Sequence, residues 1–224
     1  MLNFLNGNQK NFLKKLETVL DKRKFSQRNQ SSSVKKILSN VKIQGDKAVI
    51  KYEKKFSKIK LSPKNIKFSK NEIKMISKKI DKNLKNSIDI AFKRIKQFHS
   101  KQKFSSFRYK DKYKNELSYK FTPIEKVGVY VPGGTASYPS TVLMNCIPAM
   151  VAGVKNIYLT TPALSSNVNP GIIYAAKKCG VNEIYKTGGA HSIAALTYGT
   201  QTFKKVDKIV GPGNTFVASA KREV

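Results

Sequence analysis

From residue 124 onward the chain alternates short apolar runs with helix-like stretches, and three of the junctions are glycine turns: Val131-Pro132-Gly133-Gly134-Thr135, Thr187-Gly188-Gly189-Ala190-His191 and Gly211-Pro212-Gly213-Asn214-Thr215. The runs at 127–131, 156–161, 183–186 and 206–210 read as strands. The stretches at 140–152, 170–179, 190–198 and from 214 onward read as helices, with a kink expected at Pro148 and helix ends at Gly180 and Gly199. Successive βα units leave few folds open, because parallel strands need right-handed crossovers and helices must cover the sheet. The expected class is therefore α/β, with a Rossmann-like parallel sheet. All three glycine turns then fall along its carboxyl edge, where an open sheet binds its ligand. A turn without side-chain bulk lets backbone N–H groups and a helix N-terminus approach a phosphate or a flat ring. A nucleotide or another small anionic ligand is the first expectation.

The half before residue 124 has a different texture. Phe12, Leu13, Leu16, Val19 and Leu20 form an apolar stripe at helical spacing within 11–24, residues 27–33 form a polar break, and 34–41 and 46–56 predict two further helices separated at Gly45. Two more helices are expected at 71–80 and 83–98. Between Phe104 and Pro123 the period changes, and Phe107, Tyr109, Tyr113, Tyr119 and Phe121 suggest a β-hairpin around Lys114-Asn115, its aromatic residues paired across the strands. The expected organisation is an N-terminal helical segment over 1–30, the first part of an incomplete, mainly helical domain over 31–123, and a Rossmann-like domain over 124–224. The last helix stops without a glycine cap, a proline or a polar tail, which reads as an N-terminal fragment of a longer protein.

Charge bears on the choice of partner. The 224 residues carry a formal charge of +31, but residues 1–122 hold 34 Lys and Arg against 9 Asp and Glu, and residues 123–224 hold 10 against 4. The excess belongs to the half without the glycine turns, and 39 of the 44 basic residues are lysine, whereas bidentate readers of bases and phosphates favour arginine. Nucleic acid is not the expected partner. No apolar run is long enough to span a bilayer and the start lacks a signal-peptide pattern, so the expectation is a cytoplasmic protein without membrane contact. Cys146 and Cys179 lie in apolar helix-like stretches without metal-ligand spacing, and they read as small buried hydrophobes.

The turns match neither the dinucleotide fingerprint G-x-G-x-x-G nor a P-loop. Asn214 either caps the following helix or offers its amide to a ligand. Tyr130 ends the first strand, where it either flanks a base or ribose or is simply buried. His99 reads as a solvated residue at a helix end, and His191 sits near a helix N-terminus facing the crevice, where the helix dipole disfavours its protonated form. No Ser/His/Asp or Cys/His set stands out, and carboxylates are sparse.

The segments VGVYVPGGTASYPSTVLMNCIPAMVAGVKNIYLTT (127–161), CGVNEIYKTGGAHSIAAL and VDKIVGPGNTFVASAKREV closely resemble histidinol dehydrogenases, as does VKIQGDKAVIKYEKKF (41–56). The resemblance implies an aldehyde dehydrogenase-like architecture and an NAD-dependent four-electron oxidation of L-histidinol to L-histidine, with zinc at the substrate, in a homodimer. It also implies that Tyr130 and Asn214 contact NAD, together with His191, which stands where the family usually has glutamine and whose ring still offers one donor or acceptor. The family's general bases and zinc ligands fall beyond Val224, so no catalytic or metal residue is expected within these residues and they are expected to show no turnover alone. The alternative reading is a non-catalytic nucleotide-binding or interaction module.

Overall fold

The computed structural model describes residues 4–133, 138–163 and 168–224, with the backbone alone over 22–30. Four strands, β3 (Lys126–Tyr130), β4 (Asn156–Thr160), β5 (Glu183–Tyr185) and β6 (Lys208–Val210), form one parallel sheet in the order β5-β4-β3-β6. Helices α5 (Pro139–Ala152), α6 (Pro170–Lys178), α7 (Gly189–Tyr198) and α8 (Thr215–Arg222) alternate with them as expected, and α5 runs on through Pro148. The strand ends differ from the sequence reading by one or two residues. Val206, for example, precedes β6 and bonds through its N–H to the Leu196 carbonyl at the end of α7.

Strand alternation decides what each face buries. Val127, Val129, Ile157, Leu159 and Ile184 point to one face and pack with α5 and α6. Tyr130, Tyr158 and Tyr185 point to the other and pack with α7 and α8. Covering both faces is what a parallel sheet requires and explains why its strands read as nearly unbroken apolar runs.

The first half closes the same two layers. Helix α1 (Phe12–Gln44) and α2 (Asp46–Ser57) bury Val34, Leu38, Val41, Val49 and Tyr52 against Ile193, Leu196 and Val217. Ile88 of α4 (Lys82–Ser100) joins the cluster on the opposite face, beside α3 (Lys70–Lys78). A capping box of Ser69 with Glu72 starts α3, and Asp81 caps α4. Residues 66–68 lie antiparallel to β5: Phe68 donates to the Ile184 carbonyl, Lys186 to the Ile66 carbonyl, and Lys67 bridges to Tyr185. The helical half thus protects one edge of the sheet.

The polar stretch 27–33 is not a break, since α1 is continuous from Phe12 to Gln44 and the expected boundary at residue 30 falls inside it. The stretch contains no glycine or proline, and Gln, Asn and Ser cost only tenths of a kcal/mol in a helix interior. Ser31 also gains a tertiary partner, donating its hydroxyl to Glu223 Oε1 at 2.7 Å.

The hairpin forms as expected. Strands β1 (Phe107–Lys110) and β2 (Glu116–Tyr119) pair antiparallel, with Phe107 opposite Tyr119 and their rings stacked at 6.0 Å. Asp111 organises the turn by accepting the N–H groups of Tyr113 and Asn115, and Lys114 takes the left-handed conformation. All eight strand residues are exposed. Cys146 and Cys179 are free and buried in one cluster, where their mutual hydrogen bond and burial push the Cys146 thiol well up. Among the described residues no helix is long and apolar enough to cross a membrane.

Candidate functional site at the carboxyl edge of the sheet

A cleft of about 740 Å³ opens where β3, β5 and β6 end. Pro132, Gly133, Pro162, Gly188, Gly189 and Phe216 line its sheet side, and Lys36, Tyr52, Lys55 and Phe56 line the side given by α1 and α2. Tyr130, His191 and Asn214, expected from the sequence as ligand residues, all line this one cleft. Gly134 and Thr135 of the first glycine turn lie outside the described residues.

The turns are shaped by close approach. At Gly211 the backbone has φ +106°, and any side chain there would collide with the Tyr130 carbonyl, so glycine lets β6 pass against the end of β3. At Gly188 a Cβ would run into the Pro162 ring. Removing either glycine would displace the cleft floor.

Tyr130 is buried, and its hydroxyl oxygen accepts the Gly189 N–H at 3.2 Å, tying the end of β3 to the first turn of α7. Burial pushes the phenol up and the Glu53 carboxyl adds to the shift, against the pull of the Gly189 N–H. Asn214 is the N-cap of α8, its Oδ1 accepting the Val217 N–H at 3.0 Å. That cap uses the amide oxygen and leaves Nδ2 out of the bond, so the two roles open in the sequence are compatible.

His191 is 2% exposed and its ring is flanked by Tyr52 and Phe56, at centroid distances of 6.0 and 6.1 Å. Its Nε2 lies 2.7 Å from Oε2 of Glu53, which is wholly buried. The same Oε2 accepts the N–H of Gly188, the N-cap of α7, so a carboxyl group sits at the positive end of that helix. Among the described residues neither Nδ1 of His191 nor Oε1 of Glu53 has a hydrogen-bond partner. Glu53 was not expected from the sequence. The signal available is its place one turn after Val49 on the buried stripe of α2, where a charged residue must find a partner. His99 is half-buried near the end of α4, with Nδ1 2.7 Å from Gln102 Oε1, far in role from the cleft.

The arrangement suits a flat, partly anionic ligand: glycine-lined backbone, two helix N-termini, aromatic walls and two lysines on the opposite side. A dinucleotide fits this donor set. Among the described residues no group of three or more His, Cys, Asp or Glu is placed to hold a metal ion. These residues do not make a zinc site, and the metal implied by the family resemblance would need ligands from elsewhere.

The family model for histidinol dehydrogenase matches residues 20–224. A histidinol dehydrogenase of Pelagibacter ubique is 50% identical over 224 residues, covering 100% of this chain and 51% of the relative. One from Listeria innocua is 47% identical over 194 residues, covering 87% of this chain and 45% of the relative. The crystal structure of histidinol dehydrogenase from Elizabethkingia anophelis superposes with a TM-score of 0.81 at 41% identity, over 86% of this chain and 44% of that one. The chain spans about half the length of the curated relatives it matches.

Proposed function

Since this chain belongs to the histidinol dehydrogenase family, we propose that its glycine-edged cleft is the NAD side of a cytoplasmic enzyme that oxidises L-histidinol to L-histidine through the aldehyde and acts as a homodimer. Tyr130, His191 and Asn214 are the cofactor contacts in this reading. Residues 124–224 form its cofactor-side domain, and α1 and α2 of the helical half complete the cleft wall through Lys36, Tyr52, Lys55 and Phe56. The observation that carries it is the convergence of those three side chains, drawn from three different strand-to-helix junctions, on one cleft.

An NAD+ held there by Tyr130, His191 and Asn214 would supply the hydride acceptor. The chain's own residues bind and orient it: the Gly188-Gly189 turn gives a surface free of side chains, and Asn214 offers an amide donor from a helix start. The rings of Tyr52 and Phe56 flank His191 and give that side of the cleft an aromatic wall. Proton removal and metal chemistry belong to residues outside this set.

Calorimetric titration with NAD tests the cofactor half of the reading. The chain joined to the complementary half of the Pelagibacter ubique relative tests the reaction, with NADH formation from histidinol as the readout. Binding by the chain, turnover by the joined protein and no turnover by the chain alone are expected. Binding with an inactive joined protein would favour a non-catalytic nucleotide-binding module, and turnover by the chain alone would overturn the assignment of the chemistry to residues outside it.

A further inference from the structure

We propose that Glu53 is a positioning residue for the cleft: it holds His191 as the Nε2–H tautomer and pins the Gly188-Gly189 turn, so that Nδ1 is the ring atom left to accept a hydrogen bond from the ligand. The proposal rests on the reading of the cleft as a dinucleotide site and names what that site demands of the ligand at this point.

Oε2 already accepts the Gly188 N–H, and in this proposal it accepts from the imidazole Nε2–H at 2.7 Å as well, the arrangement open to a carboxylate, which has no proton to donate. Which ring nitrogen carries the proton in a neutral histidine is set by the bond the other makes. Here Nε2 is committed to Glu53, and Nδ1 remains a buried acceptor without a partner among the described residues. His191 lines the cleft and Glu53 does not, so the carboxyl group acts on the cleft through the ring. Nδ1 and Cε1 lie 3.4 Å from where a Cβ of Gly189 would be, which places the uncommitted edge beneath the bare glycine turn.

The same carboxyl oxygen accepts the Gly188 N–H at 3.2 Å. One side chain from α2 therefore fixes both the ring and the turn above it, across 138 residues of sequence. The chemical consequence is selectivity. A neutral Nδ1 acceptor pairs with a hydroxyl or an amide N–H, such as a ribose hydroxyl or a carboxamide, and rejects a phosphate oxygen.

The test is a double-mutant cycle read by NAD titration, with ¹⁵N NMR of the His191 ring recorded without NAD. Glu53→Met removes the acceptor while filling the space, Glu53→Gln keeps an acceptor, and His191→Gln removes the tautomer. Glu53→Met is expected to weaken NAD binding about tenfold with His191 present and less than about threefold in the His191→Gln background. The ring is expected as Nε2–H in the unchanged chain and in Glu53→Gln, which should keep affinity within about threefold.

Equal losses in both backgrounds would reduce Glu53 to a structural residue and overturn the proposal. So would an Nδ1–H or doubly protonated ring in the unchanged chain. If Glu53→Met fails to fold, the Glu53→Gln ring state decides the question alone. Failure of the unchanged chain to bind NAD overturns the dinucleotide reading, while the NMR result still decides what Glu53 does to His191.

Discussion

Asn214 and Val217 close the first turn of α8 on themselves, the Asn214 Oδ1 accepting the Val217 N–H at 3.0 Å. The residue that the family resemblance makes a cofactor contact is thus also a helix cap, and the two roles use different atoms. Asn214→Asp keeps an oxygen for the cap and removes the amide donor. Its stability to urea is expected within about 0.5 kcal/mol of the unchanged chain, with weaker NAD binding. Asn214→Ala is expected to lose about 1 kcal/mol as well as affinity. Equal NAD affinity in all three chains would confine Asn214 to capping.

Gly211 and Gly180 both have positive φ, but their surroundings differ. A Cβ at Gly180 meets open space, whereas one at Gly211 meets the Tyr130 backbone. Gly180→Ala is expected to cost about 1–2 kcal/mol from conformational strain alone. Gly211→Ala adds a collision that only a shift of β6 against β3 can relieve, and a loss of about 3 kcal/mol or more is expected, together with loss of NAD binding. Urea unfolding of both variants measures the difference. A Gly211→Ala chain as stable as Gly180→Ala would mean that β6 moves freely at the cleft.

Much of this fold was legible because buried parallel strands have to be apolar and their turns here have to be small. Val127, Ile157 and Ile184 announce a face, and Gly188 and Gly211 announce the edge. The polar run at 27–33 misled because its composition matches a loop, while one contact that supports it as helix, Ser31 with Glu223, joins residues far apart in the chain. Glu53 was hidden for the same reason: on α2 it reads as one more charge beside Lys54 and Lys55, and its burial is explained by His191 and the Gly188 N–H, both far along the chain. Lys67 gives no sign that it lies along β5, because an edge contact of so few residues leaves no periodicity.

Among the carboxylates that link the helical half to the sheet layers, Glu72 and Asp89 give acid sensitivity of known sign. Burial alone would raise Glu72, but Lys186 at 2.5 Å and the Ser69 N–H and hydroxyl hold it below the ordinary range. Asp89 is lowered by Lys178 at 2.7 Å, against the opposing effect of burial, and further by the Tyr174 hydroxyl. Depressed folded values mean that the ionised pairs stabilise fully above the ordinary carboxylate range of about pH 4, and that this contribution disappears as pH falls through the lowered values. Glu72→Gln and Asp89→Asn are expected to flatten the fall in urea midpoint below about pH 4. Tyr174, pushed up to about 12 by burial and by Asp89, has the opposite sign: its contribution is present below the ordinary phenol range and is lost as pH rises towards that value. Unchanged acid limbs in both carboxamide variants would show that these pairs do not couple the layers.

The hairpin bears on the proposed homodimer. An isolated two-stranded ribbon is marginal in water, yet β1 and β2 expose every residue, including Phe107, Tyr109, Leu117 and Tyr119. Phe104 and Phe121 extend the same apolar surface at its base, stacked at 5.1 Å and 73% and 43% exposed. A contiguous aromatic surface of this kind is stable in solution when another surface covers it, and in the proposed homodimer a second copy would supply that cover. Light scattering of the chain joined to the complementary half of its relative is expected to give twice the protomer mass. Phe107→Lys combined with Tyr119→Lys places two like charges on directly opposed positions and is expected to yield monomers whose NAD affinity is unchanged, since neither residue lines the cleft. A dimer that survives both substitutions would move the interface elsewhere. A monomer whose hairpin amides exchange slowly would show that the ribbon holds by its cross-strand rings alone.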